Sequence, residues 1–215
     1  TLQFTWVAPA LTGGVANFAL SLQSNEQLIL PAFVQILRER GVVHDKAGPT
    51  FAGAVRITEA TGDLRGVSVG VRALVLGGGG RYGVFYSAVP EGSEATTSVW
   101  LSSLRQDANN RTNLALVNVG STDDSADTFR MDLFDGATGQ RAASVEEVTV
   151  PARGFVQLNA ILQGYAPAVS SGYALVTKVR GNNPFIAYAV INDGGEPGAR
   201  SGDGAFIEAE NAAGP

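Results

Sequence analysis

The lone histidine, His44, stands in His44-Asp45-Lys46. A histidine beside a carboxylate is half of a hydrolytic relay, in which the imidazole takes a proton from a nucleophile. Nothing marks a partner serine, and the chain has no cysteine. We therefore read His44 as part of a solvated polar loop. Asp123, Asp124 and Asp127 cluster after Gly120-Ser121-Thr122. Converging carboxylates are hard oxygen ligands of the kind Ca²⁺ takes. Their spacing departs from the EF-hand pattern D-x-[DN]-x-[DN]-G, so the reading is a wet hairpin tip, with calcium as the functional alternative. Gly77 to Gly80 has the look of a phosphate-cradling loop. Such loops lead into a helix, whereas Arg81-Tyr82 leads into a strand pattern, and this is a turn. Asn110-Arg111-Thr112 fits the glycosylation sequon. Trp6, Trp100, Tyr82, Tyr86 and Tyr165 are the aromatics available for a sugar-stacking platform. Arg105, Asp107 and Arg111 flank one strand, as an ion pair at a junction or as a ligand clamp. No catalytic, cofactor-binding or metal-binding residue is assigned, and the chain reads as non-enzymatic.

Composition narrows the classes further. A chain of 215 residues with 45% hydrophobic and 16% charged residues is a folded protein of one or two domains. Glycine is abundant, at 27 residues, which suits many tight turns between short strands. A net charge of −5 argues against general nucleic-acid binding, which needs a basic surface. The absence of cysteine removes disulfides, zinc-thiolate sites and thiol nucleophiles together. No run of about 18 apolar residues is present, so no helical membrane span is expected. The start at Thr1, directly in an apolar alternation, is read as a processing boundary.

The elements that would position these residues come as a duplicated pattern. Leu30-Pro31-Ala32-Phe33-Val34-Gln35-Ile36-Leu37, closed by Gly41, recurs as Val150-Pro151-Ala152-Arg153-Gly154-Phe155-Val156-Gln157-Leu158, running on to Ile161-Leu162 and Gly164. In the second repeat Phe129, Met131 and Leu133 alternate with polar residues, and Val148 and Val150 do so up to Pro151. Phe155 to Leu162 suits one or two helical turns. Tyr173 to Val179 and Ala205 to Ala209 read as strands, and Phe185 to Ile191 as a central strand apolar throughout. The first repeat follows the same plan. Leu2, Phe4 and Trp6 match the Phe129 strand, and Phe18, Leu20 and Leu22 follow. Val55 and Ile57 match Tyr173, Thr61-Gly62-Asp63 turns, Val67, Val69 and Val71 match Phe185, and Tyr82 to Ala88 matches the last strand. Val42 to Thr50 is an added polar segment. The predicted core is Phe129, Met131, Leu133, Val148, Val150, Ile186, Tyr188 and Val190, and in the first repeat Phe4, Phe18, Leu20, Val55, Ile57, Val67 and Val69.

One strand has no counterpart. Thr112 to Val119 is apolar on both faces, with Leu114 and Leu116 on one and Ala115, Val117 and Val119 on the other. Its counterpart in the first repeat would lie before Thr1, so the first sandwich is expected to be either cut open at its start or completed by something else. A sheet left open in this way exposes backbone donors and a groove. The segment around Ser98 to Leu104, the strand Ala205 to Ala209, or a strand from another copy is expected to fill the gap.

Leu104-Arg105-Gln106-Asp107 through Arg111-Thr112-Asn113-Leu114-Ala115-Leu116-Val117-Asn118, then Met131-Asp132-Leu133-Phe134-Asp135-Gly136, then Val150 to Leu158, resembles a recurring signature of bacterial secreted and cell-surface proteins. There an "RTNLxLVN" strand precedes an "LYDxxG" strand and turn. The resemblance covers most of residues 100–210 and, more faintly, 1–95. It implies tandem immunoglobulin-like β-sandwich modules on large exported proteins and carries no catalytic residues.

The expectation is thus an all-β fold of two tandem antiparallel sandwich repeats, 1–92 and 93–215, each with a short crossing helical turn, divided at Pro90-Glu91-Gly92-Ser93-Glu94. The expected function is that of a non-enzymatic extracellular or cell-surface structural or adhesive module, a subunit of a surface assembly. Its partners would be proteins or copies of itself joined by strand addition, with no cofactor. The alternative is a carbohydrate-binding accessory region of a larger secreted enzyme, with a glycan as ligand.

Overall fold

The computed structural model describes residues 2–7, 15–39, 53–59, 64–77, 80–194, 200–201 and 203–212. The chain is mostly strand, in several antiparallel sheets, as an all-β sequence should be. It divides into two compact units, one of Thr1–Val67 with Arg153–Phe155 and one of Ser68–Ala152 with Val156–Pro215.

The first unit holds β1 (Leu2–Val7), β2 (Val15–Leu20), a helix α1 (Phe33–Glu39) and β3 (Ala54–Glu59). β1 lies between β2 and β3 and is antiparallel to both. Phe33, Ile36 and Leu37 recur at helical spacing, which is why this segment coils. Leu37 is fully buried, Phe33 packs on Phe18 at 6.0 Å between ring centroids, and Leu2, Leu20 and Ile57 join the same core. Val55, predicted as core, is 37% exposed. The Phe4 side chain lies outside the description.

The second unit opens with the hairpin of β4 (Gly70–Gly77) and β5 (Gly80–Ser87), which the sequence places with the first repeat. Next come β6 (Ser98–Arg105), β7 (Asn110–Asn118), β8 (Asp127–Asp135), β9 (Arg141–Val150), β10 (Phe155–Leu158) and α2 (Ile161–Tyr165). The last strands are β11 (Ser171–Arg180), β12 (Phe185–Asp193), β13 (Gly204–Glu208) and β14 (Glu210–Asn211). They form a four-stranded sheet, β10-β7-β12-β13, and a five-stranded sheet, β14-β6-β11-β8-β9. The two sheets share one core. Leu114, Leu116, Phe185, Ala187 and Ala189 from one sheet meet Leu101, Leu104, Phe129, Met131, Leu133 and Val176 from the other. Phe129 meets Phe185 edge-on at 4.9 Å.

Three expectations need correction. The core face of β12 is Phe185, Ala187 and Ala189, whereas Ile186, Tyr188 and Val190 point the other way, Val190 being buried there as predicted. A one-residue slip exchanges the faces of a strand, and a strand apolar on both faces gives alternation nothing to choose by. The outer face is apolar because β5 packs on it: Tyr86 meets Tyr188 at 5.7 Å and Phe206 at 5.4 Å, and Val84 lies over Gly204. Second, Phe155 to Leu162 is a strand followed by a helix, not one helical crossing. β10 pairs with β7. The matching stretch of the first repeat pairs with no strand among the described residues and coils as α1. Third, Val69 precedes β4 and is 37% exposed rather than core.

Strand order nevertheless recurs. β2-β1-β3 repeats the order β9-β8-β11, and β4-β5 repeats β12-β13. Counterparts of β6, β7 and β10 are absent from the first repeat among the described residues.

Candidate functional site

The polar residues of the Arg111–Asn118 stretch each have a structural partner. Arg111 Nη1 donates to the carbonyl of Gly194 at 2.7 Å, fastening the start of β7 to the end of β12. Thr112 Oγ1 accepts from the Arg105 amide and donates to the Arg105 carbonyl, both at 2.8 Å, closing β6 onto β7. Asn113 Oδ1 accepts from the Ala160 amide at 3.0 Å, where the backbone takes φ 46° to begin α2. Asn118 is fully buried. Its Nδ2 donates to the carbonyls of Ser125 and Val150, and its Oδ1 accepts from the Gly120 amide. The motif is therefore a set of clamps between strand ends, and the apolar residues between them fill the core.

The other quoted motif is a turn. Asp135 Oδ1 accepts from the Ala137 amide at 2.8 Å, and the Gly136 amide donates to Ser171 O at 2.9 Å. A Cβ at Gly136 would stand 3.0 Å from that same oxygen, so glycine allows the close approach.

The aspartate loop is organised by Asn183, which sequence reasoning passed over as turn punctuation. Asn183 is fully buried, and its Oδ1 accepts from the amides of Thr122 and Asp123. Its Nδ2 donates to Asp123 Oδ1 and Ser125 O, both at 3.1 Å. Asp123 also accepts from the Ser125 amide, the Ser125 hydroxyl and Asn182 Nδ2. These donors, Ser125 first, hold its carboxyl down at about 2. A carboxylate already accepting from four groups is poorly disposed to bind a cation. Asp127 is buried, with Oδ1 accepting from the Asn183 amide at 3.3 Å and Oδ2 unpartnered among the described residues. Burial raises its carboxyl, opposed by that amide and by the charge of Lys178. Among the described residues no three acids, histidines or cysteines gather as a metal group would require.

The five aromatics named from the sequence are not brought together among the described residues. Trp100, Phe134 and Tyr173 meet on the outer face of the five-stranded sheet, but Phe134 and Tyr173 stack on each other at 5.0 Å and 4°. Each of these two rings turns one face to the other. Asp132, beside them, is buried and held by Arg130 at 3.2 Å, Arg141 at 3.4 Å and the Ser144 hydroxyl. Tyr86 belongs to the packing on β12 and β13, and Tyr165 is exposed at the end of α2. The Trp6 side chain lies outside the description.

Asp107 serves a local turn. It accepts from the Asn109 amide at 2.6 Å and from Asn110 Nδ2, which together with Arg105 lower its carboxyl, the Asn109 bond most. The Asn110 amide of the sequon is thereby engaged. Gly77 and Gly80 are cross-strand partners at the hairpin end. His44, Asp45 and Lys46 lie outside the described residues.

What stands open is backbone. β4 pairs only with β5 among the described residues, whereas β12, its counterpart, pairs with β13 on one side and β7 on the other. The two internal strands expected to fill the gap are engaged elsewhere: β6 pairs with β11 and β14, and β13 with β12. No family model, curated protein or solved structure matches the chain. The strand edge is therefore argued on its own geometry. An unpaired edge with apolar neighbours is a surface that recognises extended peptide by main-chain hydrogen bonds.

Proposed function

We propose that this protein is a non-enzymatic structural or adhesive component of the bacterial cell surface or exterior, built from tandem immunoglobulin-like β-sandwich repeats. One observation carries the reading. The strand order of the second repeat recurs in the first, and the edge of β4 that corresponds to the β7 side of β12 is unpaired among the described residues. The polar signature residues support it, since each is engaged in holding strand ends together. Partners, on this reading, are protein strands, including those of other copies, joined edge to edge. A head-to-tail contact of this kind that does not close gives an open chain of subunits. The glycan alternative has less support, because the outer aromatics stack on each other.

Mass measurement across a dilution series tests the reading. Association that strengthens with concentration is the expected result. A monomer at every concentration overturns assembly from copies, and turnover in a broad hydrolase screen that His44→Ala abolishes overturns the non-enzymatic assignment.

A further inference from the structure

We infer that Asp127 is a proton-operated latch on the β11–β12 turn: protonated, it lies closed beneath Gly181 to Asn183, and ionised, it admits water and releases the turn together with the aspartate loop. The inference goes beyond the function proposed above and does not depend on it.

Asp127 opens β8 and has no exposed surface. Its Oδ1 accepts from the Asn183 amide at 3.3 Å, and its Oδ2 has no partner among the described residues. The turn closes directly on the carboxyl. Gly181 takes φ 97°, and a Cβ there would run into Asp127 Oδ1. A neutral carboxyl is far less costly to bury in such a place than an anion.

The charges that face Asp127 are Lys178, from β11, and Asp123, from the loop before β8. β9 sets the neutral Val150 opposite it, and the turn brings Gly181, Asn182 and Asn183, none of them charged. Lys178 is bound elsewhere. Its Nζ donates to the Asn183 carbonyl at 2.6 Å and lies 6.0 Å from the centre of the Phe185 ring. Asp123, held at about 2, is an anion and repels a second one. Burial therefore raises the Asp127 carboxyl and Asp123 adds to the effect, while the Asn183 and Asn182 amides and Lys178 oppose it.

The turn and the loop are joined through one residue. Asn183 Oδ1 accepts from the Thr122 and Asp123 amides, and beside it the Val119 amide donates to the Pro184 carbonyl at 3.0 Å. Lifting Asn183 off Asp127 frees these amides together. A raised carboxyl stabilises the closed form fully below its ordinary 3.8, and the contribution is lost as pH rises through the raised value. Asp123 has the opposite sign and acts only as pH falls from 3.8 toward about 2, so the two windows are separate. In the open form Asp127 ionises near 3.8, in the closed form higher. Opening should thus grow by up to about tenfold per pH unit above 3.8 and level off once the closed form ionises too.

Two readings on the intact protein test this between pH 4 and pH 8. The Asp127 carboxyl carbon, followed by NMR, should titrate above 3.8. Hydrogen exchange of the Val119, Thr122, Asp123 and Asn183 amides, corrected for the intrinsic effect of pH, should show their opening rise and level off over the same titration. Asp127→Asn keeps an acceptor for the Asn183 amide and cannot ionise. Whatever its stability at pH 4, the difference from the parent should move in its favour as pH rises. The latch is overturned if Asp127 titrates at or below 3.8, or if the four amides open equally at pH 4 and pH 8. It is also overturned if these amides exchange only together with the core strands β7 and β8, or if the difference between Asp127→Asn and the parent is constant.

Discussion

Asn118→Ala is the sharpest test of the view that the Arg111–Asn118 motif is architectural. The side chain has no exposed surface and makes three hydrogen bonds, to Ser125 O at 3.2 Å, Val150 O at 3.1 Å and Gly120 N at 2.9 Å. These join the end of β7 to the loop before β8 and to the end of β9. At about 1 kcal/mol for each bond, and more where a buried partner is left unpaired, the substitution should cost about 3–4 kcal/mol. Asn118→Asp keeps the acceptor for Gly120 but sets a charged oxygen against two carbonyl oxygens. It should cost at least as much at neutral pH, and the excess should shrink in acid as the carboxyl becomes a donor. Urea unfolding read on Trp100, in a Trp6→Phe background, measures both. A loss under about 1 kcal/mol for the alanine variant, or an aspartate variant as stable as the parent, would refute the clamp argument.

Two further outcomes follow from the same structure. Phe185→Ala should cost about 3–5 kcal/mol, because the ring is fully buried against Phe129, while Ile186→Ala on the half-buried outer face should cost less than half of that. The opposite order in urea midpoints would restore the other core face. Asp123, held at about 2 against an ordinary 3.8, contributes stability that is complete above 3.8 and lost as pH falls through about 2. The melting difference between the parent and Asp123→Asn should therefore close between pH 5 and pH 2. Asp107 and Asp193 are lowered too, but both proteins carry them and their effect cancels. A constant difference over that range would remove Asp123 from the account.

Much of the strand pattern was legible because period two is a local property. β8, β9, β11 and β12 lie where alternation, turn residues and Pro151 put them. The roles of Asn113, Asn118 and Asn183 were not legible, because their partners lie 32 to 61 residues away in the cases that matter most. An isolated asparagine in a strand or a turn reads as punctuation, and only chain folding brings the distant amide or carbonyl to it. The aromatic cluster around Trp100 was not legible for a related reason. Composition supplied Trp100 but could not show that Phe134 and Tyr173, opposite each other on β8 and β11, would stack.

By itself the sequence determined the all-β class and the recurrence of strands in a common order. Each follows from side-chain periodicity and from comparing one half of the chain with the other. The tertiary structure alone decided which face of β12 enters the core, since both faces are apolar and the choice depends on what packs against each. It also decided the fate of the duplicated Pro-Ala segment. Beside β7 that segment becomes the strand β10, and in the first repeat it becomes the helix α1. A strand needs a neighbour to satisfy its backbone, whereas a helix satisfies its own, so similar residues take whichever form their surroundings complete.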